Sequence, residues 1–224
     1  MRSAYAHIAP RARSILPLIG RSGLRLEGLI ISLLITLSLS AQVTDRELFD
    51  AYLKEDMSVW KAYLDSNYQR LTTNDLLYDY GYCGYIVAEA KKEGQEALLP
   101  QAKRYVARFR QHVEAQKGTL PVGHYEMYMS AVYVYELRLK ESIHPFKSMS
   151  LAKEATKLAP EDPVVLSYYG TCLFYAPKPF GSKAEALEWF EKAEPLFQDP
   201  QYEYCWMRQA NQMYIRQCHE KLKK

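Results

Sequence analysis

One stretch, residues 162–199, most constrains what this chain can fold into, because it carries start and stop signals for two successive helices. Asp162 is an N-cap acid, and Pro163 follows at the first helical position, where a missing N–H costs nothing. A loop with two prolines and a glycine, residues 177–181, interrupts this helix. Ser182 and Glu185 then form a capping-box pattern that opens a second helix. The stretch therefore predicts a pair of helices joined by a loop.

Residue sizes within this pair follow a fixed order. The first helix carries a bulky residue, a glycine and a bulky residue, and the second carries an alanine, an aromatic residue and an alanine: Leu166, Gly170, Leu173, Ala186, Phe190 and Ala193. This order resembles the tetratricopeptide repeat, although the loop is about four residues longer than the family's ~34-residue unit allows. The resemblance implies that Gly170 lies where the two helices approach most closely.

The rest of the chain from Thr44 onward carries variants of this pattern, and Thr44 and Glu47 form a further capping-box pattern that predicts a helix start. The small position of the repeat is occupied by Gly84, Ala131, Gly170 and Ala210. The spacings between these residues are 47, 39 and 40 positions. No strand pattern of period two competes with the helical spacing. We predict an all-α, tetratricopeptide-like solenoid over residues 44–224. It has about three helix-turn-helix repeats, an N-terminal helical cap and a C-terminal solvating helix, with a concave surface lined by the first helix of each pair.

Residues 1–41 differ from the remainder. They contain five arginines, no lysine and one acidic residue, followed by an apolar run from Leu29 to Leu39 and the small residues Ser40 and Ala41. This pattern predicts a secretory signal peptide cleaved close to Ala41, and therefore a periplasmic or envelope-associated protein. The run is shorter than the ~20 residues of a membrane span, so no span is expected after cleavage. An uncleaved signal anchor is the alternative.

Charge and cysteine content bear on partners and on redox state. Without residues 1–41 the chain has 24 basic and 25 acidic residues, so no electrostatic footprint for nucleic acid is expected. Export permits disulfides, and Cys172 with Cys205 is the best candidate pair. The alternative is that all four cysteines are small buried hydrophobes.

No catalytic, metal or cofactor motif is present, since the five histidines show no metal-ligand spacing and no phosphate loop or nucleophile elbow occurs. We therefore expect a binding protein and no enzyme. Two other readings stay open. An envelope enzyme such as a glycan hydrolase would need facing carboxylates, for which only Glu126 and Glu136 lie near the predicted groove. A purely structural assembly subunit would need no site at all.

Nineteen tyrosines are many for this length, and they cluster in the predicted first helices. The family resemblance implies a groove for a protein or peptide partner, and its groove positions fall on nine aromatic residues: Tyr78, Tyr85, Tyr125, Tyr128, Tyr135, Phe174, Tyr175, Tyr204 and Tyr214. A tyrosine has an apolar body and a polar tip, which suits an interface. The same spacing also suits rings that pack between helices. Of the family's carboxylate-clamp residues, only Asn211 has a match, which disfavours that kind of recognition.

Overall fold

A computed structural model describes residues 43–141 and 145–223, and the predicted signal peptide lies outside these residues. The described residues contain helices and no strand, so the predicted all-α class is confirmed. Residues from Val43 onward form one compact unit. Its α-helices are α1 (Asp45–Leu53), α2 (Met57–Asn67), α3 (Leu76–Glu89), α4 (Leu99–Ala115), α5 (His124–Arg138), α6 (Pro145–Leu158), α7 (Pro163–Tyr175), α8 (Lys183–Ala193) and α9 (Trp206–Leu222).

The helix starts follow from local capping chemistry. At α1, the Thr44 N–H donates to Glu47 Oε2 (2.8 Å) and the Glu47 N–H donates to Thr44 Oγ1 (3.2 Å), which is the predicted capping box. At α8, the Glu185 N–H donates to Ser182 Oγ at 3.1 Å. Each contact satisfies an N–H that has no partner within the helix. Sequence alone therefore placed these two starts correctly.

The predicted pair of helices, α7 and α8, packs as its residue sizes require. A Cβ built on Gly170 would lie 2.7 Å from Cε1 of Phe190, and Phe190 is fully buried. The ring of Phe190 is stacked on Tyr214 of α9, with the centroids 5.1 Å apart and the planes inclined by 6°. Gly170 thus marks the closest approach of α7 to α8, because any larger residue would collide with an immobilised ring.

Gly84 takes a different position from the one its spacing predicted. A Cβ built on Gly84 would lie 2.9 Å from the hydroxyl of Tyr135, which belongs to α5 and not to the return helix α4. The Tyr135 hydroxyl donates to the carbonyl of Tyr80 at 3.0 Å. Gly84 therefore provides space for Tyr135 of α5. Its predicted position in the repeat implied a close contact with the return helix α4 instead.

Successive first helices are related by a nearly constant offset in sequence. Hydrogen-bonded or ion-paired contacts join His124 to Asp162 and Ser130 to Tyr168, each pair 38 residues apart, and Tyr175 to Tyr214, 39 residues apart. These offsets agree with the spacings of 39 and 40 between Ala131, Gly170 and Ala210. Helices α5, α7 and α9 therefore lie side by side and parallel, as stacked helix pairs do.

The side of these helices that was predicted to be concave is filled with aromatic rings. Tyr80 of α3 lies at the centre, with ring centroids at 6.3 Å (Tyr128), 6.1 Å (Tyr135), 5.7 Å (Tyr168) and 5.8 Å (Trp206). These five residues are here called the central cluster. Its four tyrosines are all less than a tenth exposed. The interior of the unit is therefore a closed core built from the first helices.

Trp206 closes the central cluster from the C-terminal helix. Its indole N–H donates to the carbonyl of Leu77 at 3.2 Å, across 129 residues of sequence. Gly81 provides the space, since a Cβ there would lie 2.9 Å from the Trp206 ring and 2.6 Å from the Trp60 ring. The expectation of a merely solvating C-terminal helix is wrong in this respect, because the start of α9 is an integral part of the core.

Two further expectations are decided by the packing. All four cysteines are free, so the suggested bridge between Cys172 and Cys205 is not formed, and the three cysteines other than Cys172 are buried. Asn211 is fully buried and donates to the Phe190 carbonyl (3.0 Å) and to Glu194 Oε2 (2.9 Å). It is a structural residue that ties α9 to α8. None of the helices in the described residues is long and apolar enough to cross a membrane.

Asp162 is the N-cap residue of α7 and also contacts His124 of α5. Its replacement by alanine is expected to lower the free energy of unfolding by about 2 kcal/mol. Its carboxylate accepts from the N–H groups of Val164 (2.9 Å) and Val165 (3.1 Å) and lies 2.9 Å from His124 Nε2. Burial opposes ionisation, but the bond and charge of His124 and the two N–H groups outweigh it, so the pKa of Asp162 is lowered.

Since the folded pKa lies below the ordinary value of ~3.9, this contribution is present above that value and is lost as the pH falls through the folded pKa. Urea unfolding of the natural chain and of Asp162→Ala should show a difference that shrinks between pH 5 and pH 2. The matched control is Asp56→Ala, since Asp56 caps α2 from an exposed position and its loss should cost less. A difference that persists undiminished at pH 2 would contradict the assignment.

Candidate functional site

The structure separates the nine predicted partner-binding residues into buried and accessible groups. Four of them are buried, and their predicted exposure is wrong: Tyr78, Tyr128, Tyr135 and Phe174. Tyr128 and Tyr135 belong to the central cluster, and the Tyr78 hydroxyl donates to Asp45 Oδ1 at 3.0 Å. Burial strongly raises the pKa of Tyr128 and of Tyr135, as expected for phenols in an apolar interior. Tyr78, Tyr128 and Tyr135 are core residues, whereas the buried Phe174 ring is contacted by two lysines.

The other five remain at least partly accessible, but only some of them lie together. Tyr85 is 39 % exposed beside Tyr82, Tyr204 lies against Phe49, and the Tyr125 hydroxyl donates to Glu114 at 3.2 Å. These three are separated from one another. Tyr175 and Tyr214 are neighbours, with ring centroids 6.0 Å apart, and the Tyr214 hydroxyl donates to the Tyr175 hydroxyl at 3.3 Å.

Tyr175 and Tyr214 form a surface with Phe174 and two lysines, here called the aromatic–lysine surface: Phe174, Tyr175, Lys183, Tyr214 and Lys221. Phe174 and Tyr175 end α7, Lys183 begins α8, and the other two lie on α9. Because α7 and α8 run antiparallel, the first residue of α8 returns to the last turn of α7. Because α7 and α9 run parallel, residues about 40 apart meet at the same height. The fold thus gathers these five side chains at one end of the unit.

The geometry of this surface is dominated by cation–π contacts. The ammonium nitrogen of Lys183 lies 3.6 Å from the centroid of the Phe174 ring, and that of Lys221 lies 4.9 Å from the same centroid. Phe174 is only 2 % exposed, whereas Tyr175 is 68 % exposed. Each such contact between an ammonium group and a ring contributes about 0.5–2 kcal/mol. The result is an exposed tyrosine beside two positive charges.

A second exposed aromatic group lies on the loop that follows Tyr175. Phe180 is 52 % exposed and packs edge-on against Phe146, which is 69 % exposed, with centroids 5.5 Å apart. Phe146 is in the first turn of α6, beside the later part of α5, since Ser130 Oγ donates to the Ser148 carbonyl at 2.7 Å. The Phe146–Phe180 pair therefore lies at the same end as the aromatic–lysine surface, where the first helices finish.

Sequence reasoning missed the two lysines and the two phenylalanines. Lys183 lies between the capping residues Ser182 and Glu185, and Lys221 lies close to the C-terminus, so neither has a local pattern that indicates a binding role. The one available signal for Phe180 was an apolar residue among turn-forming residues, in a loop longer than the family norm. Nothing in the sequence indicated that residues 174, 183 and 221 meet, because that depends on the pairing of three helices.

The acids considered for an enzymatic groove are placed differently from a facing pair. Glu136 is ion-paired with Arg110, whose Nη2 lies 2.7 and 2.8 Å from its two carboxylate oxygens. Glu126 lines a shallow depression of about 240 Å³ near Tyr125, at the start of α5, about three turns from Glu136 along the same helix. The two carboxylates therefore do not form the facing pair that glycoside hydrolysis requires.

No family model, no curated protein and no solved structure matches this chain. Its class is therefore defined by the fold, as an all-α protein of stacked helix pairs with a closed aromatic interior. Within the described residues, no group of histidine, cysteine and acidic side chains is arranged to hold a metal ion.

Proposed function

We propose that this chain is an exported helical-repeat scaffold of the tetratricopeptide type that binds a peptide segment of a partner protein. The binding face is the end of the unit that carries the aromatic–lysine surface and the Phe146–Phe180 pair. The observation that carries the proposal is the exposure of Tyr175, Phe180 and Phe146, each more than half exposed, on a unit that buries most of its other rings. Phe146 and Phe180 are in contact with each other, and exposed apolar groups of this kind mark interaction surfaces.

This face differs from the concave surface that the repeat resemblance implied. The rings of Tyr128 and Tyr135 are only 2 % and 6 % exposed, so a partner cannot reach them without opening the core. The partner instead meets the ends of the first helices and the loop over residues 176–182. Tyrosine and phenylalanine supply most of the binding energy at such interfaces when they enter a desolvated contact.

Photocrosslinking tests the position of this face. The photoreactive amino acid p-benzoylphenylalanine replaces Phe180 in one variant and Val122 in a control, since Val122 is 68 % exposed and lies at the opposite end of α5. We expect one dominant adduct from position 180 in native envelopes and none of that mass from position 122. Equal adducts at both positions would contradict the proposed face.

The partner identified in this way then permits a quantitative prediction. The double variant Tyr175→Ala, Phe180→Ala should weaken binding of the purified partner at least ~30-fold, which corresponds to about 2 kcal/mol. The single variant Val122→Ala should leave the dissociation constant unchanged. Calorimetric titration measures both. An unchanged affinity in the double variant would overturn the proposal, provided that its melting temperature matches that of the natural chain.

Export is a separate part of the proposal, supported by the basic leader, the apolar run and the small residues before Ala41. We expect the protein isolated from its native envelope to begin close to residue 42. N-terminal sequencing decides this, and an intact leader on most of the protein would favour the anchored alternative.

A further inference from the structure

Lys183 and Lys221 place two positive charges against one ring. Both ammonium groups lie within 5 Å of the Phe174 centroid, although they come from different helices. Like charges held this close repel each other, and the ring offsets only part of that cost. Burial and the charge of Lys221 lower the pKa of Lys183, which is the expected consequence of this arrangement.

Neither lysine has a carboxylate partner among residues 43–141 and 145–223. Glu191 of α8 lies 3.7 Å from His219 of α9 and is not ion-paired with either lysine. Four other lysines of the described residues are ion-paired, among them Lys61 with Asp65 at 2.7 Å and Lys103 with Glu141 at 3.0 Å. The two lysines thus form a pair of unneutralised charges at an exposed aromatic surface.

We propose that Lys183 and Lys221 form an anion site that takes a carboxylate side chain of the bound peptide, while Tyr175 contacts the apolar residue next to it. This inference rests on the proposed function and names the chemistry of its ligand. A carboxylate placed between the two ammonium groups relieves their repulsion and forms charge-assisted hydrogen bonds. The Tyr175 hydroxyl, which accepts from Tyr214, has its own hydrogen free to donate.

The surroundings favour an acidic peptide over a polyanion. The stretch from Tyr175 to Lys183 contains two lysines and no acidic residue, but the chain from residue 42 onward is nearly neutral, with 24 basic and 25 acidic residues. Nucleic-acid backbones require an extended row of positive charges. One short cationic site beside an exposed tyrosine fits a single carboxylate flanked by an aromatic or aliphatic side chain.

Two synthetic peptides test the site on the full chain from residue 42 onward. The probe is acetyl-Leu-Glu-Phe-amide, and the control is acetyl-Leu-Gln-Phe-amide, which has the same shape without the charge. Lysine side-chain carbons labelled with ¹³C report binding and titration by NMR. We expect the glutamate probe to bind at least tenfold more tightly than the glutamine control and to raise the pKa of Lys183 by about 1.

Lysine variants separate a specific anion site from general attraction. Lys183→Gln and Lys221→Gln should each weaken the glutamate probe at least ~5-fold and leave the glutamine control unchanged. Lys117→Gln is the matched control, because Lys117 also covers a tyrosine, with its nitrogen 4.5 Å from the Tyr125 centroid, in another part of the unit. Equal losses for both peptides, or an equal effect of Lys117→Gln, would overturn the inference.

Two further outcomes distinguish this inference from the proposed function. If inorganic phosphate binds more tightly than the glutamate probe, the site recognises phosphate and the carboxylate assignment is wrong. If the crosslinked partner binds the double variant Lys183→Gln, Lys221→Gln as tightly as the natural chain, the binding face stands and the anion site is wrong. If position 180 gives no specific adduct, the proposed function is wrong, irrespective of the peptide-binding results.

Discussion

Replacing Gly170 with leucine is expected to lower the free energy of unfolding by about 3 kcal/mol or more, the upper part of the range for overpacked cores. Even the first added carbon would lie 2.7–3.1 Å from three atoms of the Phe190 ring. That ring cannot move away, because Tyr214 is stacked on its other face and no part of Phe190 is exposed. Helices α7 and α8 must therefore separate to accept a side chain here.

Urea denaturation measures this effect, and the chain offers a matched control. A Cβ built on Gly118 would meet no atom within 4 Å, and Gly118 lies in an exposed turn. Gly118→Leu should change stability by less than ~0.5 kcal/mol, as surface substitutions usually do. Similar denaturation midpoints for the two variants would mean that α7 and α8 do not make the close contact described here.

The second large effect is expected in the central cluster. Tyr128→Ala should cost about 3–5 kcal/mol of unfolding free energy, the range for buried aromatic residues. The Tyr128 ring is 2 % exposed, packs edge-on against Phe109 at 5.8 Å and lies tilted against Tyr80 at 6.3 Å. Its removal leaves a cavity between α3, α4 and α5 that these rings cannot fill without losing contacts of their own.

Tyr175→Ala is the matched comparison, since both residues were assigned to the same predicted groove. Tyr175 is 68 % exposed, so its loss should cost less than ~1 kcal/mol and should be detected in partner binding instead. Thermal or chemical denaturation of the two single variants separates the roles. A small loss of stability for Tyr128→Ala would mean that the interior is open and that the concave surface is available after all.

Local physical chemistry explains why much of the fold was predictable. The capping box at Thr44, the cap at Asp162 and the start at Ser182 depend on residues within three positions of each other. The close approach at Gly170 was predicted from the resemblance to the tetratricopeptide repeat, which implies a small residue where the two helices of a pair meet. The positions of these helices could therefore be predicted from the sequence.

Local sequence patterns could not predict which tyrosines are buried. A tyrosine at helical spacing suits a wet groove and a packed core equally well, since it has an apolar body and a polar tip. The choice depends on whether the first helices leave a gap. Trp206 fills that gap, and it reaches the Leu77 carbonyl from 129 residues away. No local pattern encodes a contact of that range.

The sequence by itself determined the elements of this protein: an all-α chain, its helix starts and the tight pair α7–α8, because these follow from spacing and capping within a few residues. Only the tertiary structure decided the site. It buried Tyr128 and left Tyr175 exposed, and it brought Lys183 and Lys221 to one ring. The physical reason is that exposure and charge proximity are properties of several helices packed together, so they are set by long-range contacts that residue spacing does not specify.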